Sequence, residues 1–335
     1  MRILVAGAAG FIGCHLARRL LMQGHAVIGV DNFVTGQKAN IDWLRQRGDF
    51  TFLQHNVIEP VRIEGPLDLV FDLACPASPV DFGPLGVDIL RVCSEGVRHL
   101  LDLAMDKGAV FLHTSTSEVY GDAEVHPQNE SYWGKVNPIG LRAVYDEGKR
   151  FAEALIMTYH RRHGAPIRLA RIFNTYGPRM RLDDGRVVTN FICQALTNRP
   201  LSVYGRGKQT RSFCYIDDQV EGLVKLAQSQ YTGPVNIGNP EEIPIRQLAE
   251  EIIELSGSSS TLVELPMPPD DPKVRCPDIS LAKRELGWQP QVNRRMGLER
   301  TIEFCKSLGT EVLQQAGEGR VYSNPAPAAS KAVVR

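Results

Sequence analysis

The chain has no excess charge of either sign. Its 335 residues include 38 lysines and arginines and 38 aspartates and glutamates. That balance removes the long-range attraction that holds nucleic acids and anionic membranes, although two or three local cations are enough for a small anionic ligand. No run of about 18 apolar residues occurs, so no membrane span is predicted. The chain opens directly on an apolar stretch, "RILVAG" (2–7), and no secretory leader is expected. Its seven cysteines (14, 75, 93, 193, 214, 276 and 305) are odd in number and include no CxxC pair. They read as reduced, packed thiols of a cytoplasmic protein. No metal is expected: His160 and His163 lie one helical turn apart, but "YHRRHG" reads as the solvated end of a helix without partner ligands. No internal repeat is present.

Apolar residues make up 43% of the sequence, enough for a sizeable core. In the first half they fall into short runs that alternate with helical patterns. "RILVAG" (2–7), "AVIGVD" (26–31), "FTFLQHNV" (50–57), "LDLVFDLA" (67–74), "AVFLHTS" (109–115) and "IRLARIFN" (167–174) read as strands. "CHLARRLLMQG" (14–24) and the run around 87–107 read as helices. Strands that are apolar on both faces and alternate with helices predict an α/β fold, a Rossmann-like doubly wound parallel sheet. Beyond about residue 178 the pattern loosens into shorter elements and Pro-rich joints such as "LPMPPDDP" (265–272). The expected organisation is a dinucleotide-binding domain over 1–178, to which segments at about 214–240 return, and a smaller α+β substrate lobe over 179–315. Residues 316–335, rich in Ala, Pro and Ser, read as a disordered tail.

"GAAGFIG" (7–13) places Gly7, Gly10 and Gly13 directly after the first strand and at the start of a helix. Such a turn brings backbone N–H groups and the positive end of a helix dipole against a diphosphate. The second strand ends in Asp31, whose carboxylate suits adenosine ribose hydroxyls and repels a 2′-phosphate, so NAD is favoured over NADP. Further on, "TSTSEVYG" (114–121) sets one carboxylate, Glu118, among hydroxyls at a strand end. "YDEGK" then places Tyr145 and Lys149 on one face of a helix. A tyrosine acting as a base near neutral pH must come down by about 3 units, worth about 4 kcal/mol. An adjacent ammonium and the charge of oxidised nicotinamide both act in that direction.

These features together resemble the extended short-chain dehydrogenases/reductases. Within that family "LACPASP" (73–79), "STSEVYGD" (115–122), "NPIG" (137–140), "YDEGKR" (145–150), "RIFNTYGPRM" (171–180), "DGRVV" (184–188) and "QTRSFCYIDD" (209–218) resemble the UDP-glucuronic acid decarboxylases, or UDP-xylose synthases. The similarity runs from residue 1 to about 308. It implies a homodimer built from two long helices per subunit, a tightly held NAD and a UDP-sugar cleft between the lobes.

The resemblance assigns NAD contacts to Gly7, Gly10, Phe11, Ile12, Gly13, Asp31, Asn32, Thr35, Gly36, Asn56, Val57, Leu73, Ala74, Tyr145 and Lys149. It assigns substrate contacts to Pro76, Ala77, Ser78, Asn174, Arg186, Tyr204, Arg211 and Arg275, with Arg186 and Arg211 on the diphosphate. Catalysis falls to Tyr145, Lys149, Thr116, Ser117, Glu118 and Arg275. The implied path is oxidation at C4 with Tyr145 as base and Thr116 on the reacting oxygen, then loss of CO2 from the β-keto acid and return of the hydride.

In the related 4,6-dehydratases the position of Ser117 is an aspartic acid that protonates a leaving hydroxyl. Serine cannot do so, and loss of water is disfavoured. The sequence departs from the decarboxylase pattern at Asn56, usually Asp, at Phe82, usually Tyr, and over 83–96. Other activities share this pattern in part: UDP-glucuronate 4-epimerisation or another NAD-dependent nucleotide-sugar epimerisation or dehydration, and NAD sensing without turnover.

Overall fold

The computed structural model describes residues 1–266 and 274–317. Six strands, β1 (Arg2–Ala6), β2 (Ala26–Asp31), β3 (Phe50–Gln54), β4 (Leu69–Asp72), β5 (Val110–Thr116) and β6 (Ile167–Ile172), form one sheet with an edge strand Pro234–Ile237. The order is Pro234–Ile237, β6, β5, β4, β1, β2, β3, and every pairing is parallel. Ile3, Val5, Phe71 and Leu112 enter one core layer, while Leu4, Ala6, Val70 and Phe111 enter the other. Both faces are therefore covered, and the strands need uninterrupted apolar runs.

Strand order reverses between β1 and β4. In an open parallel sheet the crevice beyond the carboxyl ends at such a reversal is where ligands bind. Gly7 follows β1, Leu73 follows β4 and Ser117 follows β5, so all three emerge at that rim.

The first helix, α1 (Phe11–Met22), starts three residues earlier than its apolar pattern suggests and buries Gly13, Leu16, Ala17, Leu20 and Leu21 at helical spacing. The helix expected around 87–107 is Gly86–Arg91 and Val97–Lys107 with a π turn, Val92–Gly96, between them. β3 is shorter than its apolar run. The chain turns at Asn56, whose Oδ1 accepts from Ile58 N at 3.2 Å and whose carbonyl accepts from Glu59 N at 3.0 Å.

The elements after residue 178 include helices Val187–Leu196, Ile216–Gln228, Ile245–Ser256, Ser280–Leu286 and Arg294–Ser307, and two strand pairs lie wholly within this part. Leu201–Tyr204 pairs with Leu262–Leu265, and Thr210–Ser212 with Glu242–Pro244. The last helix, Thr310–Gly317, includes the first two residues of the stretch read as a tail; the rest of that stretch and most of "LPMPPDDP" lie outside the described residues. Among the described residues no helix is long and apolar enough to cross a membrane.

The glycine turn is fixed by two contacts. Gly7 has φ +82°, and a Cβ there would lie 2.7 Å from the Leu73 carbonyl; a Cβ on Gly13 would lie 2.0 Å from the Gly7 oxygen. A Cβ on Gly10 would meet only that oxygen, at 3.2 Å. We therefore expect Gly13→Ala to cost about 3 kcal/mol or more in a urea titration, the upper range of overpacking, with Gly10→Ala costing less than about 1 kcal/mol. Equal stability of the two variants would contradict the close approach.

Candidate active site

α1 is preceded by Gly10, which offers no side-chain cap, and its first turn carries no acidic residue. Its leading N–H groups and dipole are thus available to an anion at the sheet rim. Asp31 ends β2 beside them and accepts from Ala9 N at 3.0 Å and Phe33 N at 2.8 Å, one bond on each oxygen. Burial raises its pKa, and those N–H bonds work against the rise. Asn32 caps Val34 N at 3.1 Å, and Gly36 packs so closely that a Cβ would lie 2.7 Å from Asp31 Oδ1. An uncapped glycine-rich helix start beside a carboxylate fits a dinucleotide.

One cavity of about 610 Å³ runs from this turn across the rim to the second lobe. Its wall includes Gly7, Gly10, Phe11, Ile12, Gly13, Thr35 and Leu73 at one end. Thr116, Ser117, Glu118, Tyr145, Lys149 and Arg275 follow at the centre, and Ala77, Ser78, Asn174, Arg186, Tyr204 and Arg211 complete the lining toward the second lobe. Asp31, Asn32, Gly36, Asn56, Val57, Ala74 and Pro76 do not line it, although Asp31, Asn32 and Gly36 adjoin the glycine turn and Ala74 and Pro76 adjoin wall residues in sequence.

The hydroxyls of "TSTS" divide by direction. Thr114 donates to Asp72 O at 2.9 Å and Ser115 to Glu153 at 2.5 Å, so both are engaged with neighbouring elements. Thr116 caps the short turn Ser117–Tyr120 by accepting from Glu118 N at 3.2 Å, and it also hydrogen-bonds the Tyr145 hydroxyl. Tyr145 and Lys149 stand on the helix Ala143–His163, one turn apart. Lys149 donates to Thr114 O at 2.8 Å, with its ammonium 6.0 Å from the Tyr145 ring centroid. Phe82 stacks on Tyr145 at 5.1 Å and 16°.

Burial pushes the Tyr145 phenol up to about 12, despite the opposing pull of Lys149 and the Thr116 hydrogen bond. The protein's own groups therefore do not bring about the lowering that base catalysis needs: desolvating the phenolate outweighs the nearby ammonium. Burial also works against the charge of Lys149, but Cys75, Cys93, Tyr145 and Asp72 outweigh it and hold the ammonium above its ordinary value.

Glu118 is clamped. Arg275 meets it with two parallel bonds, Nη1–Oε1 at 2.5 Å and Nη2–Oε2 at 2.7 Å, and Arg142 adds Nη2–Oε2 at 2.8 Å. Burial alone would raise its pKa, yet the two guanidiniums reverse the shift and hold the carboxyl at about 2. Arg275 is fixed from behind, its carbonyl accepting from Ser212 Oγ at 3.3 Å and the next residue, Cys276, exchanging two 2.8 Å bonds with Gln128. Arg142 caps Tyr145's helix, its carbonyl accepting from Tyr145 N and Asp146 N at 3.0 Å. Sequence reasoning missed Arg142 and Asp146. The available signal was an i, i+4 Arg–Asp pair straddling Tyr145.

The far wall carries three arginines, and Arg181 and Arg186 pair with aspartates. Arg186 donates to Ala77 O at 2.7 Å and pairs with Asp184 at 3.3 Å, while Arg181 pairs with Asp81 at 2.9 Å. Arg211, buried, donates to Thr210 O at 2.8 Å. Ser78 donates to the Asp184 carbonyl, which ties the loop after β4 to this wall.

A model of the NAD dependent epimerase/dehydratase family matches residues 3–238. The chain is 52% identical over 299 residues to UDP-glucuronic acid decarboxylase 3 of Arabidopsis thaliana, covering 89% of this chain and 87% of that one. It is 47% identical over 330 residues to UDP-glucuronic acid decarboxylase 1 of Xenopus tropicalis, covering 98% and 77%. Among solved structures it resembles UDP-glucuronic acid 4-epimerase from Bacillus cereus in complex with UDP-glucuronic acid and NAD. That match has a TM-score of 0.82 and 30% identity, and covers 92% of this chain and all of that one (100%).

The clamp has a pH signature. A carboxyl whose pKa falls from 4.5 to about 2 on folding stabilises the protein fully above pH 4.5, and loses that contribution as pH falls through about 2. Glu118→Gln, which leaves two buried guanidiniums without their anion, should be about 3–5 kcal/mol less stable than the parent at pH 7. The gap should narrow steadily below pH 4.5 in pH-dependent urea titrations. A gap independent of pH would contradict the clamp.

Proposed function

The chain belongs to the NAD dependent epimerase/dehydratase family and, within it, groups with the UDP-glucuronic acid decarboxylases; from that premise we propose that it converts UDP-glucuronate to UDP-xylose through a 4-keto intermediate, regenerating its NAD in each cycle. The observation that carries this reading is identity near 50% to decarboxylases along nearly the whole chain, against 30% to a 4-epimerase of the same substrate. Ser117 beside Glu118 supports it, because a serine there cannot protonate a leaving hydroxyl and water is retained.

Bound NAD supplies the hydride acceptor and, when oxidised, a positive charge that favours the Tyr145 phenolate. Gly7, Gly10 and Gly13 with the α1 terminus would hold its diphosphate, and Asp31 its adenosine ribose.

Tyr145 takes the proton of the glucuronate 4-hydroxyl, with Lys149 stabilising the phenolate and Thr116 bonding the reacting oxygen. The resulting 4-ketone lies β to the carboxylate, so CO2 leaves with its bonding electrons delocalised as an enolate. Tyr145 and Thr116 donate to that oxyanion. Ser117 and Glu118 line this stage, and Arg275 attracts the substrate carboxylate. Arg186 and Arg211 hold the substrate diphosphate, where planar guanidiniums suit bidentate contacts, with Ser78, Asn174 and Tyr204 on the remaining groups. The NAD-binding domain is residues 1–178 with 214–240, and residues 179–315 form the UDP-sugar lobe.

The protein works as a homodimer. Val87, Leu90 and Phe151 are exposed on the segments Gly86–Arg91 and Ala143–His163, and such a face is suited to packing against a second copy. All seven cysteines are free, as suits a reducing cytoplasm.

Two experiments test these statements. Incubation with UDP-glucuronate should yield one CO2 per UDP-pentose, identified by NMR as UDP-xylose, and Tyr145→Phe should bind NAD yet form neither product nor reduced-nicotinamide absorbance. UDP-galacturonate without CO2 would mean epimerisation instead. In sedimentation velocity the parent should run as a dimer and the double variant Val87→Asp, Phe151→Asp as a monomer; a monomeric parent would contradict the assembly.

A further inference from the structure

Behind Tyr145 lies one buried carboxyl that this chemistry leaves without a role. Asp146 follows Tyr145 on the same helix but does not line the cavity. It reaches the cavity through Arg142, whose Nε is 3.9 Å from Asp146 Oδ2, and through Glu118 on the other side of that guanidinium. Its Oδ1 is buried without a hydrogen-bond partner among the described residues, a poor setting for an ion. The charged groups that act on it come from three places: Arg142 and Glu147 on its own helix, Glu118 from the turn after β5, and Arg275 from beyond residue 273.

Charge counting gives the cluster a property that depends on the substrate. With Asp146 ionised, Arg142, Arg275, Glu118 and Asp146 sum to zero. A substrate carboxylate entering beside Arg275 would leave one uncompensated negative charge in a largely buried site, which is costly. We propose that Asp146 takes up a proton from solvent as the substrate carboxylate enters, so that two guanidiniums then balance two carboxylates. The proposal rests on the UDP-glucuronate reading above.

No covalent bond of the substrate changes in this step. One proton joins an Asp146 oxygen on binding and returns to solvent once CO2 has departed and a product without the carboxylate remains. Asp146 is thus a positioning residue that sets the charge seen by Arg142, Glu118 and Arg275. Burial and the Glu118 charge, opposed by Arg142 and Arg275, already hold its carboxyl at about 7, and a further anion nearby pushes it higher.

The test is calorimetric titration of NADH-loaded protein, which cannot oxidise the sugar, in two buffers of different ionisation enthalpy. At about pH 8 wild-type protein should take up close to one proton per UDP-glucuronate bound, and none per UDP-xylose, which lacks the carboxylate. Uptake should fall to about half a proton near pH 7, where the empty site is already half protonated. In turnover, KM for UDP-glucuronate should rise by up to about tenfold per pH unit above 7, while in Asp146→Asn it stays flat and proton uptake is lost. No uptake in wild type, or unchanged uptake in Asp146→Asn, overturns the proposal. Should that variant not fold, the wild-type contrast between UDP-glucuronate and UDP-xylose decides alone. If UDP-xylose binds and UDP-glucuronate does not, the substrate reading fails and this inference falls with it.

Discussion

Glu118 leaves the sheet at the end of β5 and is met there by Arg275, 157 residues further along the chain, and by Arg142 from the start of Tyr145's helix. Much of the site depends on this meeting. The guanidinium of Arg142 holds the carboxylate while its carbonyl receives the N–H groups of Tyr145 and Asp146. The orientation of the tyrosine is thereby coupled to a contact with a segment far away in sequence. Buried ion pairs add little net stability, because desolvation consumes most of the attraction. What this one supplies is specificity of arrangement: two guanidiniums from separate segments converge on the one Glu118 carboxylate, which fixes how those segments meet.

The same burial sets the terms for Tyr145. A phenol pushed to about 12 is not a base at neutral pH, and Lys149 alone does not make it one. The desolvation that raises it also strengthens any charge brought alongside, since the effective dielectric falls as water is excluded. A positive charge placed beside the phenol therefore acts on it more strongly than it would in water.

What was legible in the sequence was local. Strand period, glycine spacing and the four-residue step from Tyr145 to Lys149 are read over a few residues, and the sheet, the turn and the shared helix face are all present. Resemblance extended that reading to Arg275, which no local pattern singles out. Arg142 and Asp146 stayed hidden because their partners are assembled from three separate segments, and a charged residue beside a helix start reads as solvated until its burial is known. Phe82 read as a departure from a pattern; in the structure its ring is the surface on which Tyr145 rests, and the Arg142 guanidinium lies 5.7 Å from the same ring. The position of the Tyr145 pKa was out of reach for a simpler reason: counting nearby charges says nothing about how much water they displace.

Asp31 shows how a recognition group becomes difficult to exchange. Its two oxygens are bound by the backbone of the glycine turn and of the loop that follows β2, and Gly36 closes against them. The carboxylate that we propose reads the adenosine ribose is also a fastener for the loop around it. A change of side chain meant to admit a phosphorylated ribose would loosen the turn meant to receive it. On the proposed role of Asp31, cofactor preference belongs to a module and not to one side chain: switching it calls for residues 31–36 to be rebuilt together.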